Sequence, residues 1–403
     1  MTTDVGDPAP PPLFPAPPAG RRDPRPGLSG LSIEALGTWF AERGEPSYRA
    51  RQVADHLWRG TTSTAEMLTL PAGLRSAVDQ AFRADTLIGT TVRPSDAGLT
   101  EKALHTLDDG RAIESVLMRY PAREHRRERA TVCISSQAGC AVGCPFCATG
   151  ELGFWRDLST AEIVDQARFW ERRLGGGGRR VSNIVFMGMG EPLLNTDAVI
   201  EASAALSDPA RFGLGARHLT ISTSGVVPGI DRLTALAPQY TLAVSLHAAR
   251  PRLRDVLVPL NRRYPVAAVV ASATRYAEVT GRRVSYEYVM IDGINDTPAD
   301  AVALVELLRG RLAHVNLIPM NPVAHTPWRP STRDRLEVFA GVVRGGGLPV
   351  TVRRNRGVEI GAACGQLAAE MGDQPTAPAV ARRRELLVVR SAEALLGVAT
   401  AEA

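Results

Sequence analysis

From residue 131 onward the chain alternates between two textures, and that alternation restricts its fold more than anything else. Short apolar, β-branched runs at 131–136, 181–187, 217–222, 240–246, 284–290, 313–318 and 348–353 read as strands. Between them, stretches near 160–174, 195–207, 228–237, 264–279, 298–311 and 332–344 repeat apolar residues every three to four positions, the helical period. Strand–helix alternation implies a parallel sheet with crossover helices. About six units are too few for an eight-fold barrel, so the expected fold is α/β, a partial (βα)6 barrel. In such folds the chemistry collects on loops leaving the C-terminal ends of the strands.

The rest of the chain divides around this unit. Residues 1–27 are rich in Pro, Gly and Ala and hold too little apolar surface to pack, so a disordered tail is expected. Residues 28–84 read as a small helical accessory domain. Ser32 is a plausible N-cap with Glu34 in the first turn. A second amphipathic helix starts at Tyr48 and carries Arg49 and Arg51, and a third starts at Leu70. A structural cap and an RNA-binding module both fit this basic surface. Residues 85–130 are strand-like, with Asp109-Gly110 as a hairpin signal and a charged turn from Arg123 to Arg129. The barrel is expected over 131–367. The Ala-rich remainder, 368–403, is assigned no function.

The polar motifs fall where a barrel would need them. Residues 133–147 read Cys-Ile-Ser-Ser-Gln-Ala-Gly-Cys-Ala-Val-Gly-Cys-Pro-Phe-Cys. Cys140, Cys144 and Cys147 form C-x3-C-x2-C, Cys133 lies upstream, and the only other cysteine is Cys364. Thiolates are the usual ligands of iron–sulfur clusters, and three of them leave one iron of a cubane open. A structural zinc would need paired C-x2-C knuckles or added histidines, and no His lies between Cys133 and Cys147. Met187-Gly-Met-Gly-Glu-Pro follows the second strand, Ser222-Thr-Ser-Gly ends the third, Ser245-Leu246-His247 ends the fourth and Asn321-Pro follows the sixth.

A [4Fe–4S] cluster with an open iron can chelate the amino and carboxylate groups of S-adenosyl-L-methionine. Gly190 and Glu191 suit its ammonium, Gly by permitting close approach and Glu as an acceptor. Ser222, Ser245, His247 and Asn321, with Leu246 in the same run, are available to the ribose and adenine. Ser222 and Ser245 equally suit strand-end hydrogen bonding.

The combined set, Cys133 to Cys147 with Met187–Pro192, Ser222-Thr-Ser-Gly-Val-Val-Pro, Ser245-Leu-His-Ala and Cys364-Gly-Gln-Leu, resembles the RlmN/Cfr group of radical S-adenosylmethionine RNA methyltransferases. The resemblance runs from the helical module to about residue 367. It implies a radical-SAM barrel with a methyl-carrying Cys364, Cys133 as the thiol that releases product through a disulfide, and Glu114 as proton acceptor. Without the resemblance, Glu114 reads as a solvent-facing strand residue. It also implies methylation of adenine C2 in 23S rRNA at the peptidyl transferase centre and at adenine 37 of tRNA, with Cfr-type C8 methylation as the alternative. An electron donor such as flavodoxin or ferredoxin is implied.

Arg353, Arg354 and Arg356 are candidates for RNA phosphate contacts, or solvated surface. The formal charge of +5 has the right sign for such a partner. Almost all the basic residues are arginine, Lys102 being the only lysine. An odd cysteine count without a disulfide pattern, no signal sequence and no membrane-length apolar run fit a monomer in the reducing cytoplasm.

Overall fold

The structure is a computed structural model that describes residues 22–122, 124, 127–323, 326–353 and 355–367. Three helices open it, α1 (Ile33–Ala41), α2 (Tyr48–Trp58) and α3 (Ala72–Ala81). The Ser32 hydroxyl accepts from the Ala35 amide and starts α1. Phe40, Val53, Leu57, Met67 and Val78 form a core of their own among these helices.

Strands β1 (Gly89–Ser95), β2 (Thr100–Thr106), β3 (Ala112–Tyr120) and β4 (Arg129–Cys133) follow as an antiparallel run. The β2–β3 hairpin turns through Gly110 at φ +77°. Next come β5 (Gln137–Gly139), α4 (Ala148–Leu152), β6 (Phe154–Asp157) and α5 (Thr160–Gly175). The remaining elements are β7 (Asn183–Phe186), α6 (Thr196–Ser207), β8 (Leu219–Thr223), α7 (Val227–Leu236), β9 (Thr241–Ser245), α8 (Pro251–Leu257), α9 (Val266–Thr280), β10 (Val284–Met290), α10 (Pro298–Leu308), β11 (Ala313–Pro319), α11 (Arg333–Gly345) and β12 (Val350–Val352).

One ten-stranded sheet runs β1-β2-β3-β4-β7-β8-β9-β10-β11-β12. From β4 to β12 every neighbour pairs in parallel, which gives the expected partial barrel. The segment expected to connect the two parts instead extends the barrel sheet, through β3 paired to β4. Apolar side chains of the parallel strands and of α5, α6, α9, α10 and α11 form the main core. A second core gathers Phe146, Leu253, Val256, Ile291, Met320 and Trp328 at one end, and the three clustered cysteines pack against it. Ser159 and Glu162 make a capping box at the start of α5, and Thr297 with Asp300 does the same for α10.

Several expectations need correction. The expected tail ends sooner, because Gly27 bridges to Arg83 and the Leu28 amide donates to the Arg83 carbonyl. Residues 1–21 and 368–403 of the expected tails lie outside the described residues. Arg129 belongs to β4, not to a charged turn. Helix α8 and the β5–β6 ribbon had no counterpart in the sequence reading. Beyond β12 the chain recrosses the sheet. The Arg356 guanidinium donates to the Arg119 carbonyl (2.8 Å), the Gly357 amide to Asp96 (3.2 Å), and Ser95 bonds Glu359. Residues 355–367 therefore form a strap over the open side of the partial barrel.

Candidate active site

At the C-terminal ends of the parallel strands lies an open cleft of about 940 Å³. Cys140, Cys144 and Cys147 line one wall; Gly190, Glu191, Ser222, Ser245, His247, Asn321 and Cys364 line the rest. The structure thus brings together ten of the expected residues from six separate segments. Of the residues expected around the cofactor, Leu246 is the exception: its side chain is fully buried in the main core and its carbonyl accepts from Arg254 Nε (3.0 Å).

The cysteine loop is shaped by its backbone. Gly139 sits at φ +78°, where a Cβ would lie 2.0 Å from the Gly153 carbonyl oxygen, so only glycine fits. The Cys140 amide donates to that same carbonyl (2.7 Å), pinning the loop's start. Burial pushes the Cys140 thiol up to about 12, and the neighbouring Cys147 adds to this. Burial raises Cys144 and Cys147 too, and Cys144 also feels both other thiols. Three buried thiols this close would ionise only against a cationic partner. Among the described residues no three His, Cys, Asp or Glu side chains converge on a single metal ion. The ligands of a cubane go to separate irons, so cysteines that need not converge on one ion suit a cluster.

The opposite wall contains a gap in its own hydrogen bonding. Asn321 donates from Nδ2 to the Cys364 carbonyl (2.8 Å), while its buried Oδ1 has no partner among the described residues. An orphaned buried acceptor in a cleft marks a place for a ligand donor. His247 holds a left-handed backbone at φ +59°. Its Nδ1 accepts from the Val289 amide (3.1 Å), and burial holds its pKa down to about 3. The ring is therefore neutral, with its proton on Nε2. Ser222 and Ser245 face each other at 3.4 Å between their hydroxyls.

Glu191 differs most from expectation. Its Oε1 accepts from the Leu193 amide (3.0 Å); its Oε2 accepts from the amide (2.7 Å) and hydroxyl (2.6 Å) of Ser224. Burial nonetheless raises its pKa. The carboxylate clamps the Met187–Pro192 loop to the end of β8. Gly190, at φ +101°, lies where a Cβ would meet Gln137 at 2.5 Å.

A second cavity adjoins the first. Cys133, Tyr120, Arg356 and Leu367 line it, and it shares Met187, Arg353 and Cys364 with the cleft. Cys364 therefore stands between the three-cysteine wall and Cys133. The strap holds it there: the Gly365 carbonyl accepts from the Ala148 amide (2.7 Å) and the Leu367 carbonyl from Thr149 (2.6 Å). Burial pushes the Cys133 thiol up to about 12, and the nearby Cys364 adds to this. Both are free thiols here.

Glu114 is buried, against its solvent-facing reading from sequence alone, and pairs with Lys102 (2.9 Å). It lines neither cavity. Arg354 lies outside the described residues.

Sequence reasoning missed three contributors. Arg254 is fully buried and donates to the carbonyls of Ser224 (2.6 Å) and Leu246, tying two site loops together. Gln137 receives the Glu191 amide (2.8 Å). Glu287 lines the cleft from β10 and was detectable as a lone charge inside an apolar strand.

A parallel partial barrel with three cysteines on the first loop at its top defines a radical SAM enzyme, and residues 134–305 match the Radical SAM superfamily. That superfamily uses a [4Fe–4S] cluster and S-adenosylmethionine, and the crowded thiols and the unpaired Asn321 Oδ1 fit them. A probable dual-specificity RNA methyltransferase RlmN from Parafrankia sp. is 50% identical over 87% of this chain and 94% of its own length. The corresponding protein of Thermobifida fusca is 49% identical over 87% and 97%. A crystal structure of a radical SAM methyltransferase from Sphaerobacter thermophilus superposes with a TM-score of 0.82 at 45% identity, covering 86% of this chain and 100% of that one. The chain belongs to the RlmN family of radical SAM RNA methyltransferases.

Proposed function

We propose that this enzyme methylates C2 of adenine in the peptidyl transferase centre of 23S rRNA and at adenine 37 of tRNA, using Cys364 as methyl carrier. The observation that carries the reading is the position of Cys364, which opens onto both cavities. A [4Fe–4S] cluster and S-adenosylmethionine, held by Cys140, Cys144 and Cys147, supply the methyl group and a hydrogen-abstracting carbon radical. Asn321 Oδ1 and the His247 Nε2–H are free to bind the nucleoside part. The Cys364 sulfur takes the methyl group as a thioether. Loss of one hydrogen atom to the carbon radical leaves an S-methylene carbon, which bonds to adenine C2. The adduct then loses one electron, for which the oxidised cluster would be the acceptor, and Glu114 takes the proton lost from the adenine carbon. It is paired with Lys102 and outside both cavities, so this step requires the strap to shift. Finally the Cys133 sulfur attacks Cys364 Sγ. The C–S bond breaks with its electron pair going to the methylene carbon, which takes up a proton to become the methyl group; the methylated base leaves, and a disulfide remains for reduction.

Carbon 2 of adenine is not nucleophilic, so polar methyl transfer does not reach it and a radical route does. A flavodoxin- or ferredoxin-type protein would supply the electron in the cytoplasm. No helix among the described residues is long and apolar enough to cross a membrane. The test is mass spectrometry of nucleosides from 23S rRNA and tRNA incubated with reconstituted enzyme, S-adenosylmethionine and reductant. We expect 2-methyladenosine, abolished by Cys364→Ala. Formation of 8-methyladenosine, or activity retained in the variant, would overturn the reading.

A further inference from the structure

We infer that Tyr120, Arg129 and Arg356 form a preorganised clamp for RNA phosphates beside the Cys133–Cys364 cavity. The inference rests on the RNA methyltransferase reading above. Tyr120 and Arg129 face each other across the β3–β4 pairing. The Arg129 guanidinium carbon lies 4.2 Å from the centre of the Tyr120 ring, and that of Arg356 lies 4.4 Å from it. One ring thus carries two guanidinium groups, one from the sheet and one from the strap. Stacking on the aromatic ring orients each group without using its N–H donors. Arg356 spends one of them on the Arg119 carbonyl (2.8 Å).

The charge around this ring is unbalanced. Elsewhere the arginines are commonly paired: Arg156 with Asp109 and Glu162, Arg168 with Asp165, Arg173 with Glu101. Among the described residues no carboxylate forms a salt bridge with Arg129, Arg353 or Arg356. Glu128, next in sequence to Arg129, pairs with Arg179 instead (3.0 Å). Arg353 faces Glu287 and Cys364, so the two cations left without an anion are Arg129 and Arg356 on the one ring, and they repel one another unless an anion offsets them. A phosphodiester backbone is such an anion, and stacked guanidinium groups match its oxygens in a bidentate way.

The location fits an RNA strand whose base enters the site. Tyr120, Arg353 and Arg356 line the same cavity as Cys133 and Cys364. Arg129 and Cys133 open and close β4, roughly 13 Å apart at the usual strand rise. A strand whose adenine reaches Cys364 therefore passes its flanking phosphates over the clamp. Arg129 is exposed and Arg356 half-buried, so both are reachable.

The test uses full-length reconstituted enzyme and a fluorescein-labelled fragment of 23S rRNA spanning the peptidyl transferase centre, with anisotropy titrations at several KCl concentrations. Arg129→Gln and Arg356→Gln should each weaken binding several-fold. Each should lower the slope of log K against log[KCl] by about 0.7, the loss of one single-strand phosphate contact. Arg129→Lys keeps the charge and should keep the slope. Arg333→Gln, on exposed α11, should change neither quantity. In methylation assays the two Gln variants should raise KM for RNA and retain kcat. The clamp is refuted if the double variant binds with unchanged affinity and slope while the unsubstituted enzyme methylates the fragment. If the unsubstituted enzyme neither binds nor methylates RNA, the functional reading itself fails and the clamp with it.

Discussion

Acidification should unfold this protein through two histidines that its fold keeps neutral. His105 and His247 are buried, and burial holds both at about 3, against an ordinary value of 6.5. The folded state takes up no proton at either ring until the pH approaches 3, whereas the unfolded chain binds one at each as the pH falls through 6.5. Stability is therefore fully present only well above 6.5 and lost progressively as pH falls toward 3. Proton linkage with these values gives about 0.2 kcal/mol of loss per histidine already at pH 7 and about 2.1 at pH 5. The step from pH 7 to pH 5 thus costs about 1.9 kcal/mol for each ring. The assay is urea unfolding of the full-length protein, purified without its cluster, at both pH values. His247→Asn should remove about half of the combined effect, because Asn tolerates the left-handed backbone that His247 adopts. His105→Gln should remove the other half; His105 bridges Thr90 (2.9 Å) and Ser115 (2.7 Å), far from the cysteine loop. If both variants keep the full pH dependence of the parent, the rings titrate normally and the argument from burial is wrong.

Glu191→Gln should destabilise the cluster-free protein by about 2 kcal/mol, because one amide oxygen cannot satisfy both the Leu193 and the Ser224 amides, and one buried N–H is orphaned; unchanged urea stability alongside lost S-adenosylmethionine binding would mean the carboxylate serves the ligand alone. Gly190→Ala should lower iron content after reconstitution and lower the melting temperature, since its Cβ would lie 2.5 Å from Gln137 and its φ of +101° disfavours any side chain; normal iron incorporation and melting would show that the loop can yield.

The parallel barrel was legible because each crossover helix is long and periodic. Strand β10 (Val284–Met290) coincides with its apolar run, whereas β12 spans only Val350–Val352 within the run 348–353. Helix α8 escaped notice because it is short and begins at Pro251. Its apolar residues serve the second core rather than the main one, so no barrel period announces them. The site residues were legible wherever short polar motifs end strands. What sequence could not supply was occupancy. Glu191 reads as an open acceptor, yet its oxygens are engaged by Leu193 and Ser224. Arg254 stands in no motif and no expected helix, yet it lies fully buried between two loops. Partners of this kind arise from contacts remote along the chain, which leave no local period.

The strap over the barrel's open side has a consequence for how such enzymes diversify. The cysteine loop rests on the second core and on β5, β6 and α4, early in the barrel, while Cys364 and Arg356 arrive on the last fifteen described residues. The three-cysteine loop and the Cys364 thiol thus come from separate parts of the chain. Exchanging the terminal segment would move the Cys364 thiol and the Arg356 guanidinium together, and it would keep the cysteine loop in place only if the new segment remade the bonds from Ala148 and Thr149.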